Sequence, residues 1–347
     1  MRHEVYIQRC IELALKGGLN TRTNPMVGAL LVHNGRIIGE GWHEKYGGPH
    51  AEVNAVKSVA IADQPYIRDS ILYVSLEPCC VEGKTPACTQ LILREGIRKV
   101  VIGSVDPDAR MQGKGIQLLT ENGVEVSHGI CKEKCEELIR KFKTNLGGMP
   151  YVMLKWACTL DQVMGMKGET LAITGKEAQW YTHKWRSEFD GILVGKNTIL
   201  TDKPQLNNRL FPGPSPVRIV LDSKLEIPEI ILRNENAATL VVNQVKDEKN
   251  EGLTYVKVNS TRDWQEVFQK LFDHQIYSVM VEGGSQILHS IIESGLWQEA
   301  RILRSQIKLK EAHNQREWIL APEIKGKLIS STKIDEQTTA FVMSHEV

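Results

Sequence analysis

The sequence lacks an excess of charge of either sign, and it lacks any long apolar run. Its 43 basic and 42 acidic residues leave a net charge of +1, whereas a nucleic-acid-binding protein usually carries a basic patch or stripe. No stretch approaches the roughly 18 consecutive apolar residues of a membrane helix, and the first residues do not resemble a signal peptide. We therefore expect a cytoplasmic protein that binds neither nucleic acid nor membrane.

The sequence also lacks a dinucleotide-binding fingerprint and the cysteine pattern of a disulfide framework. The sequence contains no Gly-x-Gly-x-x-Gly, the phosphate-binding fingerprint of many dinucleotide enzymes. Its seven cysteines are an odd number, and disulfides are rare in a reducing compartment. Cys79, Cys80 and Cys88 lie close together in the chain, which favours a metal or catalytic site over a disulfide framework.

The length of 347 residues suggests about two domains. Strand and helix patterns alternate on both sides of Gly147-Gly148-Met149-Pro150, a stretch of helix breakers typical of a linker. We therefore predict two layered α/β domains, residues 1–147 and residues 148–347. Within the first domain, Asn34-Gly35 between two apolar runs predicts a β-hairpin, and residues 131–145 are predicted to form one charged helix.

The strongest functional signal consists of Pro49-His50-Ala51-Glu52 and Glu77-Pro78-Cys79, the latter followed after eight residues by Cys88. In nucleobase deaminases one His and two Cys bind zinc, while a Glu that is not a ligand transfers protons. Three protein ligands leave a fourth position for water, whose pKa falls to about 7, so that hydroxide is available at neutral pH. We therefore predict zinc ligands at His50, Cys79 and Cys88, with Glu52 as the catalytic proton shuttle.

Other interpretations of these residues exist. A lone His-x-Glu usually marks a solvated helix end, and a Cys pair often belongs to the core or to a closed zinc site with four ligands. The wide Cys spacing favours the catalytic interpretation, and it disfavours deaminases of nucleic acid, which carry Pro-Cys-x-x-Cys. Cys80 remains an alternative ligand. A binding module without activity and a paralogue acting on a related pyrimidine also remain open.

These segments resemble those of the RibD family of bifunctional riboflavin-biosynthesis proteins, and the resemblance covers nearly the whole chain. It rests on Asn24-Pro25-Met26-Val27-Gly28, Gly39-Glu40-Gly41-Trp42-His43, Leu154-Lys155-Trp156-Ala157, Thr159-Leu160-Asp161, Asp202-Lys203-Pro204-Gln205-Leu206 and Val281-Glu282-Gly283-Gly284-Ser285, together with the two zinc segments. It implies a cytidine-deaminase-like three-layer α/β domain followed by a dihydrofolate-reductase-like α/β domain.

The resemblance also implies two reactions on one small phosphorylated pyrimidine. The first domain would use zinc to deaminate 2,5-diamino-6-ribosylamino-4(3H)-pyrimidinone 5′-phosphate, and the second would use NADPH to reduce the ribosyl chain to ribityl. The resemblance leaves a homo-oligomer open.

The resemblance assigns site residues to both domains. It implies contacts with the deaminase substrate for Asn24, His43, Lys84 and Asp106, with NADPH for Ala157, Thr198 and Asp202, and with the reductase substrate for Thr170, Arg186, Leu206, Arg209 and Glu282. Gly283, Gly284 and Ser285 follow an apolar run and precede a predicted helix, which suits the approach of a cofactor phosphate to a helix N-terminus. Arg186 and Arg209 suit a clamp on the 5′-phosphate.

This sequence departs from the family pattern at several positions. Cys80-Val81 stand where the family usually has Ser-His, and Asp108 stands where it usually has Asn. Arg110-Met111 replace small residues, while Gln162 and Ala172 replace the usual Gly and Trp. The departures leave His50, Cys79 and Cys88 unchanged, so they concern substrate contacts.

Overall fold

A computed structural model describes residues 3–83, 86–167, 171–234, 237–310 and 317–345. The chain divides into two compact units, Met1–Gly147 and Gly148–Val347. Within the described ranges, no helix has both the length and the apolar character needed to cross a membrane.

The first unit is built on one five-stranded sheet. Its strands are β1 (Gly28–His33), β2 (Arg36–Trp42), β3 (Ile71–Leu76), β4 (Lys99–Ser104) and β5 (Glu125–His128), and its α-helices are α1 (His3–Ala14), α2 (Ala51–Lys57), α3 (Cys88–Arg94), α4 (Lys114–Glu121), α5 (Lys132–Leu138) and α6 (Arg140–Asn145). The strand order is β2-β1-β3-β4-β5. The pairs β1–β2 and β1–β3 are antiparallel, whereas β3, β4 and β5 run parallel.

Helices cover both faces of this sheet. Successive side chains of β1 point to opposite faces, so neighbouring residues contact different helices. Leu30 packs in one apolar cluster with α1 and α5, and Leu31 packs in another with α2, α3 and α4. The predicted three-layer arrangement is therefore confirmed.

Two local predictions in this unit had different outcomes. Asn34 and Gly35 have φ angles of 50° and 79°, the left-handed pair that a tight hairpin turn requires, so the predicted hairpin is confirmed. The single helix over residues 131–145 was wrong, because Ile139 leaves helical geometry at φ −102° and ψ 11° and separates α5 from α6. Ile139 and Leu138 are both buried in the cluster that α1 contacts, and no Gly or Pro marks this break in the sequence.

The second unit contains a ten-stranded sheet and a small two-stranded sheet. Its strands are β6 (Tyr151–Cys158), β7 (Val163–Met166), β8 (Gly191–Gly195), β9 (Val217–Leu221), β10 (Thr239–Asn243), β11 (Glu248–Asn250), β12 (Leu253–Lys257), β13 (Ser278–Val281), β14 (Glu299–Ser305), β15 (Trp318–Leu320), β16 (Gly326–Lys333) and β17 (Thr338–His345), and its helices are α7 (Lys176–Arg186), α8 (Lys196–Asp202), α9 (Glu229–Leu232), α10 (Trp264–Asp273) and α11 (Ser285–Ser294). The large sheet has the order β11-β12-β10-β9-β8-β13-β6-β14-β17-β16, and β15 pairs with β7.

The chain reverses its direction across the large sheet between β8 and β13. These strands are parallel neighbours, but the chain leaves β8 through α8 towards β9 and leaves β13 through α11 towards β14, on the opposite side. Ile199 of α8 and Leu288 of α11 belong to different apolar clusters. Such a reversal opens a crevice at the carboxyl ends of the strands, which is the usual ligand position in open α/β sheets.

Candidate active sites

Three side chains of the first unit meet in a cluster suited to zinc. Nδ1 of His50 lies 3.5 Å from Sγ of Cys79 and 3.3 Å from Sγ of Cys88, and all three ligand atoms lie within 4.8 Å of one another. Zinc bonds of about 2.1 Å to nitrogen and 2.3 Å to sulfur place tetrahedral ligand atoms about 3.6 Å apart. The spacing and the donor set therefore both fit zinc.

Two helix N-termini position these ligands. His50 is the N-cap residue of α2, and Cys88 is the first residue of α3, so both lie at the positive ends of helices, where thiolates are stabilised. Cys79 follows β3 and accepts a hydrogen bond from the backbone N–H of Cys88 at 3.3 Å. Cys80 is not part of the ligand cluster found among the described residues, and its Sγ lies 4.0 Å from Sδ of Met111.

The ionisation of the cluster is consistent with cation binding. A hydrogen bond with Cys88, supported by His50, lowers the pKa of Cys79 to about 4 even though burial opposes ionisation. The same hydrogen bond, together with burial, raises the pKa of Cys88. A bound cation favours ionisation of both thiols.

Glu52 lies in the first turn of α2, and its side chain is buried. Burial, with a further contribution from Cys79, raises the pKa of its carboxyl. A carboxyl group whose pKa moves towards neutrality is suited to general acid–base chemistry at pH 7.

Asn24 and His43 are joined beside the metal cluster. Nδ1 of His43 donates to the carbonyl oxygen of Pro49 at 3.0 Å, so Nε2 of His43 accepts from Nδ2 of Asn24 at 3.0 Å. The ring of His43 approaches the ring of His50 edge-on, with centroids 5.5 Å apart. Burial lowers the pKa of His43, which keeps this ring neutral and fixes its hydrogen-bonding roles.

Asp106 is buried beyond the end of β4. Its carboxylate accepts a hydrogen bond from the backbone N–H of Asp108 at 2.8 Å, and burial, with the nearby charges of Asp108 and Glu77, raises its pKa to about 6. Its own N–H donates to Oε2 of Glu77 at 3.1 Å. Lys84, which the sequence assigns to the same substrate, lies outside the described residues.

The second unit carries a buried ion pair at the crevice beside β13. Both oxygens of Glu282 accept from Arg186, with Nε at 2.9 Å and Nη2 at 2.8 Å, and each side chain is 11% exposed. Burial opposes ionisation of Glu282, but Arg186 and Lys155 lower its pKa to about 2. Nη1 of Arg186 donates to the carbonyl oxygen of Asn207 at 3.1 Å.

Lys155 is a site residue to which the sequence analysis gave no role. Burial lowers the pKa of its ammonium group, and it lies on β6 facing a cavity of about 300 Å³. The cavity is also lined by Trp156, Ala157, Met164, Gln179, Glu282 and Gly283. The sequence does carry a signal for a role of Lys155, since this lysine interrupts an apolar run over residues 151–157. A charged residue is rarely placed in a buried strand without a partner.

The glycine turn after β13 allows close packing with α11. A Cβ atom on Gly283 would lie 3.0 Å from Cγ2 of Ile287, and one on Gly284 would lie 3.8 Å from Oγ1 of Thr198. Thr198 of α8 and the glycine turn thus lie together at the crevice. The hydroxyl of Ser285 donates to the carbonyl oxygen of Leu320 at 3.0 Å, and this bond ties the turn to β15.

The remaining predicted residues of this site have different surroundings. Leu206 has a φ of 55° and packs in the apolar core, whereas Arg209 is exposed and its Nη1 donates to Oδ1 of Asn207 at 3.1 Å. The backbone N–H of Arg209 donates to Nδ1 of His183 at 3.2 Å. Asp202 ends α8, and Thr170 lies outside the described residues.

Comparisons with known proteins match each of the two units to a family model. The family model described as the cytidine and deoxycytidylate deaminase zinc-binding region matches residues 1–104, and the RibD C-terminal domain matches residues 150–305. Riboflavin biosynthesis protein RibD of Aquifex aeolicus (strain VF5) is 39% identical over 301 residues, which cover 84% of this chain and 83% of the relative. The corresponding protein of Escherichia coli (strain K12) is 30% identical over 320 residues, covering 86% of each.

Solved structures give the same result for the fold. A diaminohydroxyphosphoribosylaminopyrimidine deaminase/5-amino-6-(5-phosphoribosylamino)uracil reductase from Thermotoga maritima aligns with a TM-score of 0.86 and 32% identity, covering 99% of this chain and 98% of that one. RibD of Acinetobacter baumannii (form 1) aligns with a TM-score of 0.82 and 28% identity over 99% of both chains. The predicted combination of a deaminase-like and a reductase-like α/β domain is confirmed. The chain therefore belongs to the RibD family, as a bifunctional enzyme of riboflavin biosynthesis that joins a zinc-dependent deaminase to an NADPH-dependent reductase.

Proposed function

We propose that residues 1–147 hydrolyse the exocyclic amine of 2,5-diamino-6-ribosylamino-4(3H)-pyrimidinone 5′-phosphate. Residues 148–347 then reduce the ribosyl chain of the product to ribityl with NADPH. The observation that carries the proposal is the cluster of His50, Cys79 and Cys88 with the buried Glu52 beside it. The name of the Thermotoga maritima relative states a deaminase and a reductase for such pyrimidines.

In the deaminase, Glu52 moves the protons. Zinc held by three protein ligands supplies the nucleophile by lowering the pKa of a water molecule to about 7. Glu52 would accept one proton from this water and deliver it to the ring nitrogen. It would then take the proton of the added hydroxyl group and pass it to the amino group, which leaves as ammonia. The raised pKa of Glu52 suits both the basic and the acidic half of this cycle.

Asn24 and His43 hold the pyrimidine ring in this scheme. Neutral His43 takes one N–H of the Asn24 amide, which orients the Asn24 side-chain oxygen to accept from a polar hydrogen of the ring. Asp106, whose pKa is about 6, can donate or accept near neutral pH and lies on the neighbouring segment. Lys84 remains the predicted contact for the 5′-phosphate.

In the reductase, Lys155 and Glu282 face the substrate cavity. NADPH supplies the hydride, so the protein must bind the opened sugar beside it and provide hydrogen bonds. The bidentate bond from Arg186 keeps Glu282 ionised and fixed, and Lys155 is a partly buried donor that lines the same cavity. Arg186 thus orients Glu282, while the exposed Arg209 is the better placed of the two arginines for the 5′-phosphate. Leu206 and Thr170 remain predicted substrate contacts.

The crevice between β8 and β13 suits the cofactor. Gly283 and Gly284 lie at the N-terminus of α11, a ten-residue helix, and such a terminus attracts phosphate. Thr198 lies beside Gly284, Ala157 lines the adjoining cavity, and Ser285 and Asp202 complete the predicted set. A cytoplasmic location, without nucleic-acid or membrane partners, stays a prediction.

Substitution of Glu52 by Gln tests the deaminase assignment. Because Gln cannot accept and return a proton, ammonia release should fall by about 10²–10⁴-fold, while zinc content stays near one per chain. The oxidation of NADPH with the deaminated substrate is the internal control, since it depends on the other unit. Ammonia release that persists in the Glu52→Gln variant at the rate of the unmodified protein would remove Glu52 from this role.

A further inference from the structure

We propose that Glu77 is a positioning residue of the deaminase, whose carboxylate holds segment 106–116 as a wall of the pocket beside the metal ligands. The inference rests on the proposed deaminase function of the first unit. Glu77 follows β3 and precedes Cys79 by two residues, so it connects the strand that carries a metal ligand to the segment that carries Asp106.

Four backbone N–H groups of segment 106–116 donate to this one side chain. Oε2 of Glu77 accepts from Asp106 at 3.1 Å and from Gly113 at 2.9 Å. Oε1 accepts from Gly115 at 2.9 Å and from Ile116 at 3.2 Å. An ionised carboxylate has about four lone-pair sites, and the four donors match this capacity.

The bonding pattern requires a carboxylate. Glu77 is buried, with 4% of its surface exposed, and Gly113 is the N-cap residue of α4. A negative charge at a helix N-terminus is stabilised by the helix dipole. A glutamine of the same shape would turn an NH₂ group towards two of the N–H donors, which leaves buried donors without an acceptor.

The hydrogen bonds of Glu77 fix the position of Asp106, which we propose contacts the substrate. Asp106 donates its own backbone N–H to Glu77, so the position of its side chain depends on this bond. Met111 of the same segment contacts Cys80, next to the metal ligand Cys79. Loss of the Glu77 bonds would therefore move the pocket wall, whereas His50, Cys79 and Cys88 keep their own mutual contacts.

Substitution of Gly115 is a second, independent way to disturb the contact between Glu77 and α4. A Cβ atom on Gly115 would overlap the carbonyl oxygen of Pro78, which lies between Glu77 and Cys79. Since Gly115 has no left-handed φ, alanine is otherwise acceptable to the helix. The substitution Gly115→Ala should thus push α4 away from Pro78 and lengthen the bonds to Glu77.

The test uses the full-length, zinc-loaded enzyme with Glu77→Gln and Gly115→Ala. We expect the KM of ammonia release to rise by about tenfold or more in both variants, with kcat changed by less than about threefold. Zinc content should stay near one per chain, and NADPH oxidation with the deaminated substrate should be unchanged. Glu121→Gln is the matched control, because Glu121 lies on α4 and its carboxylate accepts from the exposed Gln117 in its own helix.

Three results would overturn the inference. Unchanged KM in both variants removes the positioning role, and lost zinc shows that Glu77 supports the ligands instead of the wall. A fall in kcat with an unchanged KM would place the effect of Glu77 on proton transfer. If Glu77→Gln does not fold, Gly115→Ala decides alone. A wild-type enzyme that releases no ammonia would instead refute the proposed function, so the two failures are distinguishable.

Discussion

The pKa values of Glu52 and Glu282 are shifted in opposite directions because the neighbours of the two glutamates differ. Burial raises the pKa of Glu52, whereas Arg186 and Lys155 overcome burial and lower the pKa of Glu282 to about 2. Environments that separate the pKa values of like residues also separate their chemical roles. Glu52 is therefore suited to carry a proton, and Glu282 is suited to remain a charged hydrogen-bond acceptor.

Cys88 and Cys80, which lie eight residues apart in the chain, should respond differently to substitution. Cys88→Ser replaces a ligand atom of the cluster, so zinc content and ammonia release should both fall to near background. Cys80→Ser changes a side chain that contacts Met111, and it should retain about one zinc per chain. Metal analysis of the two purified variants provides the measurement. Full zinc in the Cys88→Ser variant would move the ligand assignment to another side chain.

The ion pair of Glu282 should make stability depend on pH. Its folded pKa of about 2 lies below the ordinary value of 4.5, so its contribution is complete above about pH 5 and disappears as the pH falls from 4.5 towards 2. A change of this size corresponds to about 3 kcal/mol. The free energy of unfolding should therefore differ between wild type and Glu282→Gln at pH 6, and the difference should shrink by pH 3.

Tryptophan fluorescence during urea unfolding measures this effect, because six of the seven tryptophans follow residue 148 and report on the second unit. A substitution at the exposed Glu336, such as Glu336→Gln, is the matched control in the same unit. A difference that stays constant from pH 6 to pH 3 would contradict the assigned ionisation of Glu282.

At the residue scale, the sequence predicted the members of the zinc cluster but not their supports. His50, Cys79 and Cys88 belong to short segments whose residue types and spacing carry the signal. Glu77 and Lys155 were left without a role, because their partners lie far away in the chain. Glu77 accepts hydrogen bonds from segment 106–116, and Lys155 interacts electrostatically with Glu282. Only the folded arrangement brings these groups together.

At the scale of elements, the crevice depends on the close approach of α11 to β8 and β13. Cβ atoms on Gly195 and Gly283 would lie 2.6 Å and 3.0 Å from Ile287, so both strand ends leave room for this one side chain. Glycine here permits close backbone packing at the turn where we propose that the cofactor phosphate binds.

Gly283→Ala should weaken NADPH binding, since its methyl group forces Ile287 and the turn apart. We expect the KM for NADPH to rise by about tenfold, with ammonia release unchanged. The double variant Gly283→Ala/Ile287→Ala removes Cγ2 and Cδ1 of Ile287 but keeps a Cβ atom 3.1 Å from the new methyl group, so it should recover part of the loss. Steady-state NADPH oxidation measures both. An unchanged KM in the single variant would place the cofactor phosphate elsewhere.

Prediction of elements from the sequence succeeded where local signals were strong. The hairpin at Asn34-Gly35 has an unambiguous turn signal, and its structure agrees. No strand was predicted over β16, since seven of its eight residues are exposed and no apolar alternation marks it. Its place at the edge of the large sheet follows from pairing with β17, a tertiary contact that no local pattern encodes.

At the scale of the whole molecule, two units carry two chemistries on one chain. The metal cluster and Glu52 belong to the first unit, whereas Lys155, Glu282 and the glycine turn belong to the second. No predicted site residue of one reaction lies in the unit of the other. The activities should therefore be separable by removing zinc.

The central claim is that one chain deaminates the pyrimidine first and reduces its ribosyl group second. The most direct test follows ammonia and NADPH together after addition of the diaminopyrimidinone ribosylamine phosphate, with zinc-loaded and chelator-treated enzyme. We predict ammonia release with or without NADPH, and NADPH oxidation that lags behind ammonia and stops when zinc is removed. The deaminated substrate should restore NADPH oxidation to the zinc-free enzyme. NADPH oxidation without ammonia release, or its loss with the deaminated substrate after zinc removal, would contradict the account.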